Sequence, residues 1–582
     1  MQVSVHGKSW TLLPPDVGRI EQLMSELSLP RFVATCISHH LPAHAELNLN
    51  DWASPSFDQL HDPFLMKGMS HAIERIERAI HDSERIRVVT DYDVDGTTSS
   101  LILQAVCGIL AGRELLDYHI PNRFVEGYGF SVQAAEQAAK DKIDLIITAD
   151  IGIRDAAAVT RARQLGVDVV ICDHHLPEGG TGPTDANVIL CPPQQGCSYP
   201  NTGLAACGVS LKLAQALLMR SRQFASTPDR AQRIVRSLMK LAAIGTIADV
   251  VSLATMENRA IVQLGLHALR HTPHSPGLQA LLNVSQLSDG WVDAGSIGYN
   301  IAPRINAAGR IDDAKIVVDL LLCKDPQRAR SLAARINDLN TERKGLQERL
   351  VNEALLSVPD PLPPFVTIAG QVTDGWHSGV IGIVAGRLRD QLNRSVAVIS
   401  VSGDVGRGSI RAVDQVHAVN ALASTQGLLN RFGGHAAAAG FDVPAQHIES
   451  LKAALIEFAE LEMKGKPVMP VTEISAEVSP EVLSLQNIQQ LEDLGPFGKD
   501  NPKPLVQLSA IRPKYATVLK EKHIKFSLSG LSCIWFGGAE YWPELKNKSI
   551  DVIGEVGVNR YNQRSSPQFI IRDVRLSASS NS

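Results

Sequence analysis

The sequence predicts an α/β protein, with two α/β lobes joined by a long helix and a small all-β region at the C-terminus. Three observations predict it. Between residue 71 and about residue 255, short Val- and Ile-rich runs alternate with helix-like segments, the pattern of a parallel sheet covered on both faces. From Pro326 to about Leu356 a charged stretch carries Leu332, Ile336, Leu339, Leu346 and Leu350 at helical spacing. Beyond residue 470, runs alternate apolar and polar residues like strands of a barrel or sandwich.

The elements are taken in chain order. Residues 1–70 hold prolines at 14, 15, 30, 42, 55 and 63 and read as a small helical region packing on the adjoining α/β lobe. RIRVV (85–89) reads as a strand, TSSLILQAVCGILA (98–111) as a helix, and LLDYHI (115–120) as a strand. SVQAAEQAAK (131–140) is a helix, DLIITA (144–149) a strand, RDAAAVTRARQLG (154–166) a helix and VDVVIC (167–172) a strand. Residues 256–345 look mainly helical, and the helix from Pro326 connects the lobes. The prolines of SVPDPLPPF (357–365) mark a boundary. FVTIA (365–369) and VAVIS (396–400) are strands of the second lobe, among glycine-rich turns. After the linker KGKPVMP (464–470), the segments HIKFSLSG, LSCIWFGG, IDVIGEVGVN and QFIIRDVRL form the β region. The expected divisions are 1–70, 71–255, 256–357, 358–465 and 466–582.

A chain of 582 residues with a formal net charge of −5 is a multidomain protein and not a uniformly basic nucleic-acid binder. Any polyanion site must come from local placement of Arg and Lys. Eight cysteines without a CxxC pair argue for buried thiols rather than disulfides or zinc. The start MQVSVHGKSW lacks a charged and apolar leader, and no run of about 18 apolar residues is expected to cross a membrane. The expectation is a cytoplasmic monomer without membrane contact.

The chemistry concentrates at strand ends, where open parallel sheets bind ligands. The first strand ends in TDYDVDG, bringing Asp91, Asp93 and Asp95; another ends in TADIG, with Asp150; the next ends in CDHH, with Asp173, His174 and His175. Asp249 follows the apolar segment in AIGTIADVVSL. Neighbouring strands lie about 5 Å apart, so these groups can converge. Like charges this close repel unless water screens them or a cation holds them. Carboxylates plus imidazole suit Mn²⁺ or Mg²⁺ better than structural zinc. Several carboxylates can bridge two ions about 3.5–4 Å apart, the arrangement that hydrolyses phosphoesters. For Asp95, capping of the following helix competes with metal contact.

DYDVDG, TADIG, DHH and GTIADVV resemble the four motifs of the DHH phosphoesterase superfamily. PNRFVEGYGFS, IAPRINAAGR, DGWHSGVIGIVAGRL, RFGGHAAAAG and LGPFGKDNPKP narrow the resemblance to the RecJ family of single-stranded-DNA exonucleases. It covers about residue 80 to the C-terminus. Thr90, Ala149, Ile151 and Cys191 depart from the family pattern, but no ligand position is lost. The resemblance implies a DHH lobe, a DHH-associated lobe and a C-terminal OB-like barrel. It implies 5′-to-3′ degradation of single-stranded DNA to mononucleotides with two divalent ions, Mn²⁺ or Mg²⁺. Asp91, Asp93, Asp150, His174 and Asp249 are the implied metal ligands, with Asp150 the bridge. His175, facing the scissile phosphate, forms the catalytic set with Asp150 and Asp173. DNA repair and recombination, single-strand-binding protein and a RecQ-type helicase are implied in the same way. Alternatives are an oligonucleotide or cyclic-dinucleotide phosphodiesterase of the superfamily and a non-catalytic scaffold.

Substrate positions follow from cations and glycines. Arg123 can hold a phosphate and Tyr128 can stack a base, although core packing is a competing reading of Tyr128. By resemblance, this loop binds the 5′-terminal nucleotide. Arg304, Asn306 and Arg310 lie within seven residues; Arg304 and Arg310 reach phosphates or pair with Asp312 and Asp313. Ser409, Arg411, Gly433, Gly434 and His435 resemble the phosphate binders of the DHH-associated domain. His377 joins them or is a core histidine. Lys520, Lys522, Lys525, Arg560 and Arg564, interleaved with Phe526, Trp535 and Tyr561, would suit a strand-tracking groove or an ordinary solvated face. The metals are expected on one wall of a narrow interlobe cleft and the phosphate binders on the other.

Overall fold

The Val- and Ile-rich runs form one fully parallel sheet, ordered Leu116–His119, Ile86–Thr90, Leu145–Ala149, Asp168–Cys172 and Val188–Leu190. The computed structural model describes residues 4–41, 48–112, 116–287, 290–464, 470–561 and 564–577. Every residue of Ile86–Thr90 and Leu145–Ala149 is buried, as β-branched strands covered on both faces require. The last strand, Val188–Leu190, has only three residues and is not among the strands expected from the sequence.

Helix Val94–Ala111 packs on helices Ala206–Arg220 and Pro228–Ala248. Gly245 permits that closeness, because a Cβ there would sit 2.4 Å from Thr98 Oγ1 and 2.5 Å from Cys207 Sγ. Val94–Ala111 has the length and mean hydropathy of a membrane span, but Asp95, Thr97, Thr98, Ser99 and Ser100 interrupt it, so it is not an unbroken apolar run. It is 67% buried inside the protein, and its apolar character serves the core.

The chain divides into two units. Met1–Gly309, Asp313–Ile336 and Val471–Ser582 form the first, while Arg310–Asp312 and Asn337–Pro470 form the second. The connecting helix is continuous over Pro326–Leu356, as its periodicity predicts.

Within the first unit, the N-terminal region departs from expectation. Ile20, Leu23, Val33, Ile37 and Trp52 share a core with Leu508, Val552 and Phe569, and strand Ser9–Leu12 pairs in parallel with Val471–Ile474. Only the later part, including Phe57, Leu60 and Phe64, packs on the first sheet's core. Arg259 ties these regions together. It lies 4.1 Å from the Trp52 ring centroid and donates to the carbonyls of Trp52 (2.6 Å), Leu494 (2.6 Å) and Gly495 (3.0 Å).

The C-terminal sheet is seven-stranded, ordered Ala476–Glu477, Leu505–Ile511, Ile550–Tyr561, Arg564–Leu576, Leu531–Trp535, His523–Leu528 and Lys514–Leu519. Phe526 and Trp535 belong to its buried core and offer no face to a ligand, which corrects the expected groove. Arg560 stacks 3.6 Å from the Trp291 ring and bonds Glu492 at 2.7 Å. Lys520, Lys522, Lys525 and Arg564 are exposed, and the Tyr561 side chain lies outside the described residues.

The second unit is a five-stranded sheet ordered Arg431–Gly434, Ala438–Pro444, Val405–Arg411, Ser395–Ser402 and Phe365–Gln371. Strand alternation gives it two apolar faces. Val396 and Val398 pack with Val384 and Leu388 of helix Ile381–Leu392, whereas Ala397 and Ile399 pack with Leu451 and Leu455 of helix Ile448–Met463.

Candidate metal centre and strand-binding residues

Backbone register brings the acids together. Thr90 pairs with Ala149, and Ala149 with Cys172, so three strands end in one row. The next residues are Asp91, Asp150 and Asp173. The chain leaves Ile86–Thr90 for a strand on one side and returns on the other with Leu145–Ala149, which makes this pair the switch point where such sheets bind ligands.

Around that point three groups have ligand-type atoms within 4.8 Å of one another: Asp91, Asp93 and Asp150; Asp150, Asp173, His174 and His175; and Asp95, His174 and Asp249. Asp150 joins the first two groups and His174 the last two. His174 Nε2 lies 3.2 Å from Asp150 Oδ1, and its Nδ1 lies 3.7 Å from Asp249 Oδ2. Asp249 caps the C-terminus of helix Pro228–Ala248, where the helix dipole disfavours a carboxylate. The backbone that aims these acids turns left-handed. Asp150 has φ 65°, a left-handed value that aspartate tolerates, and Val250 has φ 58°, which is rare for a β-branched residue.

Burial first, then mutual repulsion, holds Asp91, Asp93 and Asp150 above the usual carboxylate range. Asp249 is pushed up to about 9 by burial and by Asp95 and Asp93. Burial holds His174 below its ordinary value, which favours the neutral, ligating form. Asp91 Oδ1 and His174 Nε2 are buried without hydrogen-bond partners. Crowded oxygens, a neutral imidazole and orphaned lone pairs fit a hard divalent cation.

Other members of the cluster are already engaged. Asp173 Oδ1 accepts from the His174 N–H (2.7 Å), the His175 N–H (3.1 Å) and His175 Nδ1 (2.8 Å), and Oδ2 accepts from the Ile153 N–H (3.1 Å). Burial works against its ionisation, but the bonds and charge of His175 keep it below its ordinary value. Asp173 therefore orients both histidines. The same contact raises His175 against the opposing effect of burial. Asp95 does not cap its own helix, a job done by Asp93 through the Gly96 N–H at 3.1 Å. Its oxygens instead accept from the N–H groups of Ala206 (2.7 Å) and Cys207 (2.8 Å), the start of helix Ala206–Arg220.

Tyr128 is 60% exposed, which removes the core-packing reading. Its ring meets Tyr92 edge-on at 6.4 Å, and the Arg123 guanidinium lies 4.8 Å from the Tyr92 centroid. Tyr92 was not singled out from sequence, although it sits between Asp91 and Asp93. Gly309 lets a helix approach it, since a Cβ there would be 3.0 Å from the Tyr92 carbonyl. Arg304 and Asn306, both half-buried, lie on that helix, Ala302–Ile311, and Arg304 Nη1 donates to the Asn300 carbonyl at 2.7 Å. Arg310, grouped with the second unit, donates to the Gly379 carbonyl at 3.2 Å.

In the second unit, His377 Nδ1 accepts the Gly379 N–H at 3.1 Å. Arg411 Nη1 donates to Ser409 Oγ at 3.0 Å. Both side chains lie beside Gly382 at the start of helix Ile381–Leu392, which has no side-chain cap. Gly433 and Gly434 end the exposed strand Arg431–Gly434, and the His435 N–H closes a hairpin onto the Ala438 carbonyl at 2.8 Å. Register places Gly433, Gly440 and Ser409 in one row.

Comparisons with known proteins agree across the chain. Residues 85–246 match the DHH family N-terminal domain, 365–461 the DHHA1 domain and 474–573 the RecJ OB domain. The chain is 34% identical to the single-stranded-DNA-specific exonuclease RecJ of Bacillus subtilis over 98% of its own length and 71% of that protein. It is 32% identical to the Escherichia coli protein of the same name, covering 88% and 90%. The crystal structure of Thermus thermophilus RecJ with Mn²⁺ superposes with a TM-score of 0.80 at 27% identity, covering 98% of this chain and 80% of that one. The Mg²⁺ form gives 0.74 at 25% identity, covering 98% and 79%.

Proposed function

The chain belongs to the RecJ family of DHH phosphoesterases, and from that premise we propose how its residues degrade single-stranded DNA. The protein is a metal-dependent single-stranded-DNA exonuclease that uses Mn²⁺ or Mg²⁺. Asp91, Asp93, Asp150, His174 and Asp249 would hold the ions, Asp150 belonging to two of the three ligand-type groups. When bound, two divalent ions supply activation of the attacking water and stabilisation of charge on the phosphoryl group. Asp173 holds His175 toward the scissile phosphate. Arg123 takes the 5′-terminal phosphate, while Tyr128 and Tyr92 offer rings to the terminal nucleotide. This arrangement supports 5′-to-3′ release of mononucleotides. Arg304, Asn306, Arg310, His377, Ser409, Arg411, Gly434 and His435 hold the following backbone.

We assign these roles to the divisions: 71–255 for catalysis, 256–357 as connector, 358–465 for backbone binding and 466–582 for strand capture by the OB domain. There the exposed Tyr515 and Phe536 take the stacking role that buried Phe526 and Trp535 cannot fill. We assign the activity to DNA repair and recombination in the cytoplasm, alongside single-strand-binding protein and a RecQ-type helicase.

One observation carries the residue assignment. Adjacent strand ends bring Asp91 and Asp150 into one ligand-type group, and Asp150 Oδ1 lies 3.2 Å from His174 Nε2. Asp150→Ala should abolish Mn²⁺-dependent hydrolysis of a 5′-phosphorylated oligonucleotide while sparing the fold. Full activity in that variant would remove the shared-ligand role. Comparing dinucleotides with long strands separates this reading from an oligonucleotide phosphodiesterase, which prefers the former.

A further inference from the structure

Asp155 occupies the N-cap position of helix Ala156–Gln164, yet its side chain makes no capping bond. An aspartate there ordinarily accepts from the first turn. Here Oδ2 instead accepts from the Phe130 N–H at 2.8 Å and the Gly152 N–H at 3.0 Å. The two donors lie on different loops. Phe130 follows the loop of Arg123 and Tyr128, and Gly152 follows Asp150. The fit is tight on both sides. A Cβ on Gly129, which has φ +90°, would lie 2.9 Å from Asp155 Oδ1, and one on Gly152 would lie 2.5 Å from Thr148 Oγ1.

We infer that Asp155 is a positioning residue that fixes the spacing between the terminal-nucleotide loop and the metal-ligating loop, and so determines which phosphodiester bond is presented for cleavage. The inference rests on the reading that Arg123 and Tyr128 hold the 5′ end. The chemistry is steric and geometric. One carboxylate oxygen bonds both N–H groups, so the two loops cannot slide apart without stranding a donor. If the terminal nucleotide is held on one loop and the metal on the other, their separation is the length of one nucleotide step.

The geometry makes an unusual distinction between substitutions. Because both bonds go to one oxygen, an asparagine carbonyl can replace them, whereas alanine cannot. With a 5′-phosphorylated, 3′-labelled oligonucleotide and Mn²⁺, Asp155→Ala should raise KM and lower kcat/KM by about 10- to 100-fold, the cost of a misplaced substrate. It should also shed a mixture of mono- and dinucleotides. Asp155→Asn should stay within about threefold of wild type with mononucleotides only. Gly129→Ala, which keeps the aspartate but forces the loop off it, should reproduce the alanine phenotype. Mn²⁺ affinity and melting temperature are measured alongside. Wild-type product register in both Asp155→Ala and Gly129→Ala would overturn the inference, as would Asp155→Asn failing like alanine. Arg123→Ala tests the underlying reading separately, because unchanged preference for 5′-phosphate over 5′-hydroxyl in that variant rejects the end-binding loop itself.

Discussion

Replacing Asp95 by alanine tests whether this acid is structural, in contrast to the metal ligands proposed around it. The carboxylate is fully buried and accepts two N–H groups at the start of helix Ala206–Arg220, whose own N-cap, Ala205, provides no side-chain bond. Ala206 and Cys207 are both fully buried, so water cannot replace the lost acceptor. Orphaning each N–H costs about 1–3 kcal/mol, and losing a charge at the helix N-terminus costs up to about 2 kcal/mol. Relief of repulsion with Asp93 and Asp249 offsets part of this, leaving a net loss of about 3 kcal/mol. With a urea slope of about 3 kcal/mol/M, the unfolding midpoint should fall by about 1 M. Asp95→Asn keeps one acceptor and should fall by about half as much. The assay is urea unfolding of metal-loaded protein followed by tryptophan fluorescence, with Mn²⁺ affinity measured by calorimetry. An unchanged midpoint with a large loss of Mn²⁺ affinity would refute the reasoning and make Asp95 a ligand.

Four further outcomes are expected. Asp91, Asp93, Asp150 and Asp249 all have folded values raised above the ordinary 3.8, with Asp249 near 9; they therefore favour the folded state at low pH, and that contribution is lost as pH rises toward 9. EDTA-treated protein should lose melting temperature from pH 6 to pH 8.5 while the Mn²⁺-loaded form changes less, and proton release on Mn²⁺ binding should appear as a buffer-dependent calorimetric heat. Arg259→Ala strands three carbonyls and the Trp52 face, so it should cost about 3–5 kcal/mol and open residues 20–52 to protease. Gly309→Ala pushes on Tyr92, so KM for single strands should rise with little change in melting temperature, a gain in helix propensity of about 1 kcal/mol offsetting the contact. Arg411→Ala should reduce the slope of log(kcat/KM) against log salt by about 0.7, the signature of one lost phosphate contact on a single strand.

What was legible in the sequence depended on how local its cause is. Four of the first sheet's five strands follow from short Val- and Ile-rich runs, and the helix Pro326–Leu356 from its periodicity. The convergence of Asp91, Asp150 and Asp173 was legible because strand ends in a parallel sheet must be neighbours. The role of Asp95 was not, since its partners lie more than a hundred residues away. Nor was the pairing of Ser9–Leu12 with Val471–Ile474, because no local pattern encodes a distant partner. The error over Phe526 was avoidable. Lys525 and Phe526 are consecutive in a strand and so face opposite sides, and one groove cannot use both.

Because the first residues complete a layer built from the last, synthesis imposes a wait. His6 bonds Asp573, 567 positions along the chain, and the helices after it share most of their core with the final sheet. At about 5–20 residues per second, those 567 positions take roughly 30–110 s. Until then Leu23, Phe32, Val33 and Trp52 lack the sheet residues that cover them in the folded protein. A premature stop near the end would therefore unseat the beginning.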